Sequence, residues 1–142
     1  MSADNKSLHR RFVEEVFNQG NLAAVDELVA PDIIDHNAFP GLTPGSEGVK
    51  QIASILRAAF PDIHYTLEDE IAEGDKAVVR DTMRGTHRGE FMGIAPTGKQ
   101  VTVGGMDITR WSNGKIVEHW AQFDTLGLLQ QLGVVPPAGQ AS

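Results

Sequence analysis

Residues 99–124 read KQVTVGGMDITRWSNGKIVEHWAQFD. Two alternating stretches, 99–111 and 116–124, flank Ser112-Asn113-Gly114-Lys115. Asn-Gly between alternating runs is the strongest short-range sign of a β-hairpin, because both central residues of its tight turn need positive φ. With Asn113-Gly114 at the tip, Trp111 is predicted to face Ile116, Thr109 to face Glu118, and Asp107 to face Trp120. Side chains alternate across a sheet. One face is therefore predicted to carry Asp107, Thr109, Trp111, Ile116, Glu118, Trp120, Gln122 and Asp124. The other carries Met106, Ile108, Arg110, Val117, His119, Ala121 and Phe123. The first face mixes aromatics with carboxylates, as a ligand pocket does. The second, with His119, reads as an oligomer interface or as a layer behind the pocket. A slip of one residue would exchange the faces.

Outward from the hairpin, residues 77–86 and 63–72 also alternate, with Gly74-Asp75 as a turn between them. Upstream the period changes. Leu8, Phe12, Val13, Val16 and Phe17 recur at helical spacing over 4–18, and Gly20 stops that helix. Asn21 is placed to cap a short helix with Leu22, Val25, Leu28 and Val29 as its stripe. Residues 32–37 read as a short strand or extended turn. Ser46 is placed to cap a third helix with Val49, Ile52, Leu56, Ala59 and Phe60 on one face, closed by Pro61. Residues 125–132 read as a short terminal helix, and 134–142 as a loose tail. Helices followed by a run of antiparallel strands predict an α+β fold, with helices on one face of a curved sheet.

The chain has 142 residues, enough for one domain with one core. It has no Cys, which excludes disulfides, thiolate metal sites and a thiol nucleophile. A formal charge of −7 is a poor match for nucleic acid or an anionic membrane. No apolar run is long enough to span a bilayer, and MSADNKSLHRR carries no apolar core of a signal peptide. A cytoplasmic protein is expected. The five histidines, His9, His36, His64, His87 and His119, form no His-x₃-His pair, so no dedicated metal site is expected. Gly85, Gly89 and Gly93 have the wrong spacing for a phosphate loop.

The stretch Gly85-Thr86-His87-Arg88-Gly89-Glu90-Phe91-Met92-Gly93-Ile94-Ala95-Pro96-Thr97-Gly98 resembles the SnoaL-like polyketide cyclase family of the NTF2-like superfamily. So do Asp107-Ile108-Thr109-Arg110, Gly114-Lys115-Ile116-Val117-Glu118-His119-Trp120 and the run from Phe123 to Gly133. Asn18-Gln19-Gly20-Asn21 and Asp35-His36 also fit, so the resemblance spans residues 8–133. It implies a cone of helices packed on a strongly bent sheet around an apolar pocket. It also implies intramolecular aldol chemistry driven by an acidic residue without metal or organic cofactor, and a homodimer or homotetramer formed through the sheet.

On this resemblance Asp124 holds the position of the family's acid/base Asp, and His36 that of a pocket His. A carboxyl beside Trp120 in a dry pocket would have a raised pKa suited to moving a proton next to a carbonyl. Asp124 can equally cap the terminal helix. His36 can orient a carbonyl, or bond a neighbouring backbone group; Asp35 would then point the other way. His87 can reach the pocket mouth or hold its own turn. Asp107 can be a second pocket acid or pair with an Arg. Trp111, Trp120 and Phe91 are expected as pocket or core lining, and Gln122 as a polar partner. The expected function is acid/base cyclisation of an apolar carbonyl-bearing molecule. The alternatives are an isomerase or epoxide hydrolase on the same fold, or a non-catalytic small-ligand-binding domain.

Overall fold

In a computed structural model, residues 2–37 and 39–136 are described. Helix α1 (Ser2–Phe12) runs on as a π-helical segment, Val13–Asn18, then come α2 (Ala23–Leu28), β1 (Val29–Asp35) and α3 (Ser46–Ala59). Strands β2 (His64–Glu73), β3 (Lys76–Thr86), β4 (Gln100–Ser112) and β5 (Lys115–Phe123) precede α4 (Thr125–Leu132). They form one five-stranded sheet of order β1-β5-β4-β3-β2, antiparallel except for β1 against β5. This is the expected α+β architecture.

The π-helical segment has a tertiary cause. Arg57 donates to the carbonyls of Phe17 and Asn18, and the Asn18 amide bonds both the N–H and the C=O of Tyr65. These distant partners satisfy the backbone and side-chain groups where the helix turn widens. The expected side-chain caps are absent: α2 follows Leu22 and α3 follows Gly45, neither with a side-chain cap bond. Of the expected tail, residues 137–142 lie outside the described residues, while the N–H of Val134 bonds the Leu129 carbonyl.

The hairpin turn is as read, with Asn113 at φ 52° and Gly114 at φ 77°. The register beyond it is not. Trp111 pairs with Ile116, but Arg110 pairs with Glu118, leaving Val117 as an extra bulged residue. Thr109 therefore pairs with His119 and Asp107 with Ala121. The bulge exchanges the expected faces of Glu118, His119, Trp120 and Ala121. His119 moves inside, and Trp120 moves to the outer face with Glu118.

Two apolar clusters flank the interior. One gathers α1, the π-helical segment, α2, β1 and the start of α3 around Trp111 and Ile116. The other gathers the end of α3, Phe60, Met83, Phe91, Val101, Val103 and α4. Phe17 and Tyr65 pack against both. Between the clusters the bent sheet does not close, and a cavity remains.

Candidate functional site

The cavity measures about 490 Å³, within the range of small-molecule sites, roughly 300–1,000 Å³. Its walls are mainly apolar: Phe12, Phe17, Ile52, Leu56, Met83 and Val103 among others. Phe39, Phe91 and Phe123 also line it, with the Phe39 ring centroid 6.2 Å from that of Phe91 and 6.0 Å from that of Phe123. Its titratable groups come from neighbouring sheet positions. These are Asp35 on β1, Tyr65 on β2, Asp81 on β3, Asp107 on β4 and His119 on β5.

His119 stands at the centre of that set. Its Nδ1 lies 3.2 Å from Asp35 Oδ1 and its Nε2 lies 3.0 Å from Asp107 Oδ2. With a carboxylate on each side, both ring nitrogens act as donors, which is the imidazolium form. Burial works against that charge, but the hydrogen bonds and charges of Asp107 and Asp35 outweigh it and raise the imidazole to about 9. Burial also opposes ionisation of Asp35, yet its bond to His119 holds it below the usual carboxylate range. Asp81 is in a different position. Burial, then the charge of Asp107 and a hydrogen bond with it, push Asp81 up to about 7. Burial and the charges of Asp81 and Asp107 push the Tyr65 hydroxyl above its ordinary value.

The anchoring is local and explicit. Asp35 pairs directly with His119 across the parallel β1–β5 ladder. The Asn37 N–H bonds Asp35 Oδ1, and Asn37 Oδ1 accepts the N–H of Ala121. Behind the site Thr109 accepts the Trp111 indole N–H and bonds the buried His9. Burial, the largest influence on His9, lowers that imidazole to about 4.

The sequence candidates divide. Asp107, Phe91 and Gln122 line the cavity. Asp124 is exposed and is not among the lining residues; its carboxylate accepts the Gly127 N–H and caps α4. A Cβ on Gly127 would lie in hard contact with that carboxylate, so the bare glycine makes room for the cap. His36 is on the outer face, not in the pocket. Its ring stacks on Trp120 at 4.9 Å, and its Nε2 bonds Glu118, which also takes Arg110. Lys76 sits 5.6 Å from the Trp120 ring. His87 is fully buried and accepts the Thr97 N–H on Nδ1, which holds its own loop. Trp111 belongs to the core.

The sequence reading placed His119 and Asp35 elsewhere and did not single out Asp81. Asp81 carried a signal: with Ala77, Val79 and Met83 it falls on the apolar phase of β3, where a carboxylate is out of place. Asp35 and His119 carried none, because their faces are set by pairing between strands 84 residues apart. Among the described residues no group of three or more His, Asp or Glu has the geometry to hold a metal ion, and no helix is long and apolar enough to cross a membrane.

A family model described as SnoaL-like polyketide cyclase matches residues 7–132. Nogalonic acid methyl ester cyclase from Streptomyces nogalater is 29% identical over 119 residues, covering 82% of this chain and 89% of that protein. IdmH from Streptomyces antibioticus, a candidate polyketide cyclase, is 38% identical with a TM-score of 0.73, covering 86% of this chain and 94% of that one. AclR from Streptomyces galilaeus, a candidate hydroxylase, is 30% identical with a TM-score of 0.84, covering 99% and 87%.

Proposed function

The chain belongs to the SnoaL-like polyketide cyclase family, and on that premise we propose that it closes a ring in an apolar, carbonyl-bearing small molecule by proton transfer between Asp107 and His119. One observation carries the reading: the His119 ring held between two carboxylates, 3.0 Å from Asp107, in the lining of an apolar cavity. Asp107 removes a proton from the carbon beside a carbonyl. The resulting enolate attacks a second carbonyl of the same molecule, forming the carbon–carbon bond. His119 protonates the oxygen of that second carbonyl as its π bond breaks. The proton on Asp107 then returns to His119 along their hydrogen bond, so nothing is consumed and the product is an isomer of the substrate. Asp35 holds the imidazole in place through its other nitrogen and stabilises its charge.

The charge of the site favours an uncharged polar end on the ligand. Asp35, Asp81 and Asp107 surround a single cation, and a ligand carboxylate would be repelled there. On the outer face, Met106 and Ile108 are exposed between Trp120 and the mixed charges of Lys76, Arg110 and Glu118. A face that carries both signs around an apolar centre can meet itself across a two-fold axis, and it supports a homodimer.

The test is carbon–hydrogen exchange. Nogalonic acid methyl ester, the compound in the relative's name, is incubated with the protein in D₂O and its proton spectrum followed. The reading expects exchange or ring closure that depends on Asp107 and is lost in Asp107→Asn. Binding without any exchange above buffer would contradict it and favour a non-catalytic ligand-binding domain.

A further inference from the structure

Asp81 has no part in the proton cycle just described, yet it is the most buried carboxylate at the site, 7% exposed. Its place is set by the sheet. Asp81 pairs with Gly105 across the β3–β4 ladder, while Val79 pairs with Asp107. Asp81 and Asp107 are thus diagonal neighbours on the inner face, close enough for side chains to meet. The path between them is open because residue 105 has no side chain. A Cβ there would lie 3.2 Å from Asp81 Oδ1 and 3.0 Å from Phe123 Cβ. Both carboxyls line the same cavity, and burial together with the charge of Asp107 favours the protonated form of Asp81. A protonated carboxyl can donate to a carboxylate, whereas an ionised one can only accept. Asp107 therefore stands between two donors, the Asp81 carboxyl and the His119 Nε2–H.

We propose that Asp81 is a positioning residue for Asp107: reaching past the bare Gly105, it holds a shared proton against Asp107 and keeps that carboxylate aimed at His119. The proposal rests on the Asp107–His119 reading for its consequence in catalysis, but its contact can be measured without any substrate. The groups that face Asp81 are Tyr65 from β2, Asp107 from β4 and His119 from β5 with Asp35 of β1 behind it; His9 from α1 senses Asp107 and His119. Of these, Asp107 raises Asp81 and His119 lowers it, with burial the largest influence.

The experiment is a pH titration of the full chain by NMR, following the imidazole nitrogens of His119 and the side-chain carboxyl carbons of Asp81 and Asp107. When the Asp81 proton leaves, the field at His119 changes. The His119 signal is expected to show one step near neutral pH, where the Asp81 carboxyl carbon titrates, and its own larger step near 9. Asp81→Asn keeps a donor for Asp107 but cannot ionise. In that variant the neutral step should vanish while the upper step remains. A single His119 step in the wild type, a neutral step that survives Asp81→Asn, or an Asp81 carboxyl carbon that titrates as an ordinary Asp would overturn the proposal. The carboxyl measurement needs no variant, so it decides the matter even if Asp81→Asn does not fold. Loss of turnover in Asp107→Asn with no neutral step would remove the proposal and leave the cyclase reading standing. The neutral step without any turnover would do the reverse.

Discussion

His119 makes a testable demand on stability. Its imidazole titrates near 9 in the folded chain against 6.5 for the free side chain. A raised folded-state pKa stabilises the fold below the unfolded value, and that stabilisation is lost as pH rises through the folded value. Evaluating the linkage with these two values gives about 2 kcal/mol of stability at about pH 7.5 and only a few tenths at about pH 9.5. The side chain is 20% exposed, so this needs little discount for solvent screening. For a chain of this size, with a urea m-value of about 2 kcal/mol/M, the midpoint should fall by about 1 M between those pH values. Asp81 titrates below this window, and the chain has no Cys to titrate within it. In His119→Gln the fall attributable to this group should disappear, while groups common to both proteins cancel in the comparison. Urea unfolding followed by fluorescence across the window is the assay. A wild-type midpoint that stays flat, or an equal fall in His119→Gln, would refute the claim that two carboxylates hold His119 as an imidazolium.

Three further outcomes follow from other parts of the molecule. Asp124→Ala removes the cap bond to the Gly127 N–H and should cost about 1 kcal/mol in urea unfolding, with turnover unchanged. Phe60→Ala empties a fully buried position that contacts the rings of His87 and Phe91, and should lose about 3–5 kcal/mol in the same assay. Ile108→Lys places a charge on the exposed outer face; if the proposed homodimer forms there, this variant should sediment as a monomer where the wild type sediments as a dimer, without a change in far-UV circular dichroism.

Much of the fold was legible because its signals are local. Asn113-Gly114 fixes the hairpin tip, and the helical spacing of Val49, Ile52, Leu56 and Ala59 marks α3. The site was less legible because one residue decides it. Val117 is a good strand former, and nothing in its chemistry announces a bulge. Its insertion nevertheless sends His119 into the cavity and Trp120 out of it. The same exchange reaches β1, where Asp35 follows His119 inward and His36 follows Trp120 outward. Parallel pairing has no turn of its own to set register, so the face of Asp35 comes from tertiary packing alone. The π-helical segment is of the same kind, since it depends on Arg57 and Tyr65. Asp81 differs: its position among Ala77, Val79 and Met83 was visible in the alternation of β3 and marked a carboxyl inside an apolar surface.

The most direct test sets two aspartates side by side. Asp107→Asn and Asp124→Asn are assayed for conversion of nogalonic acid methyl ester to an isomer of equal mass, with urea stability measured on both. Loss of conversion in Asp107→Asn, with Asp124→Asn as active as the wild type, is the result the geometry predicts. Full conversion in Asp107→Asn with loss in Asp124→Asn would contradict it, and would move the acid/base group from the His119 network to the end of β5.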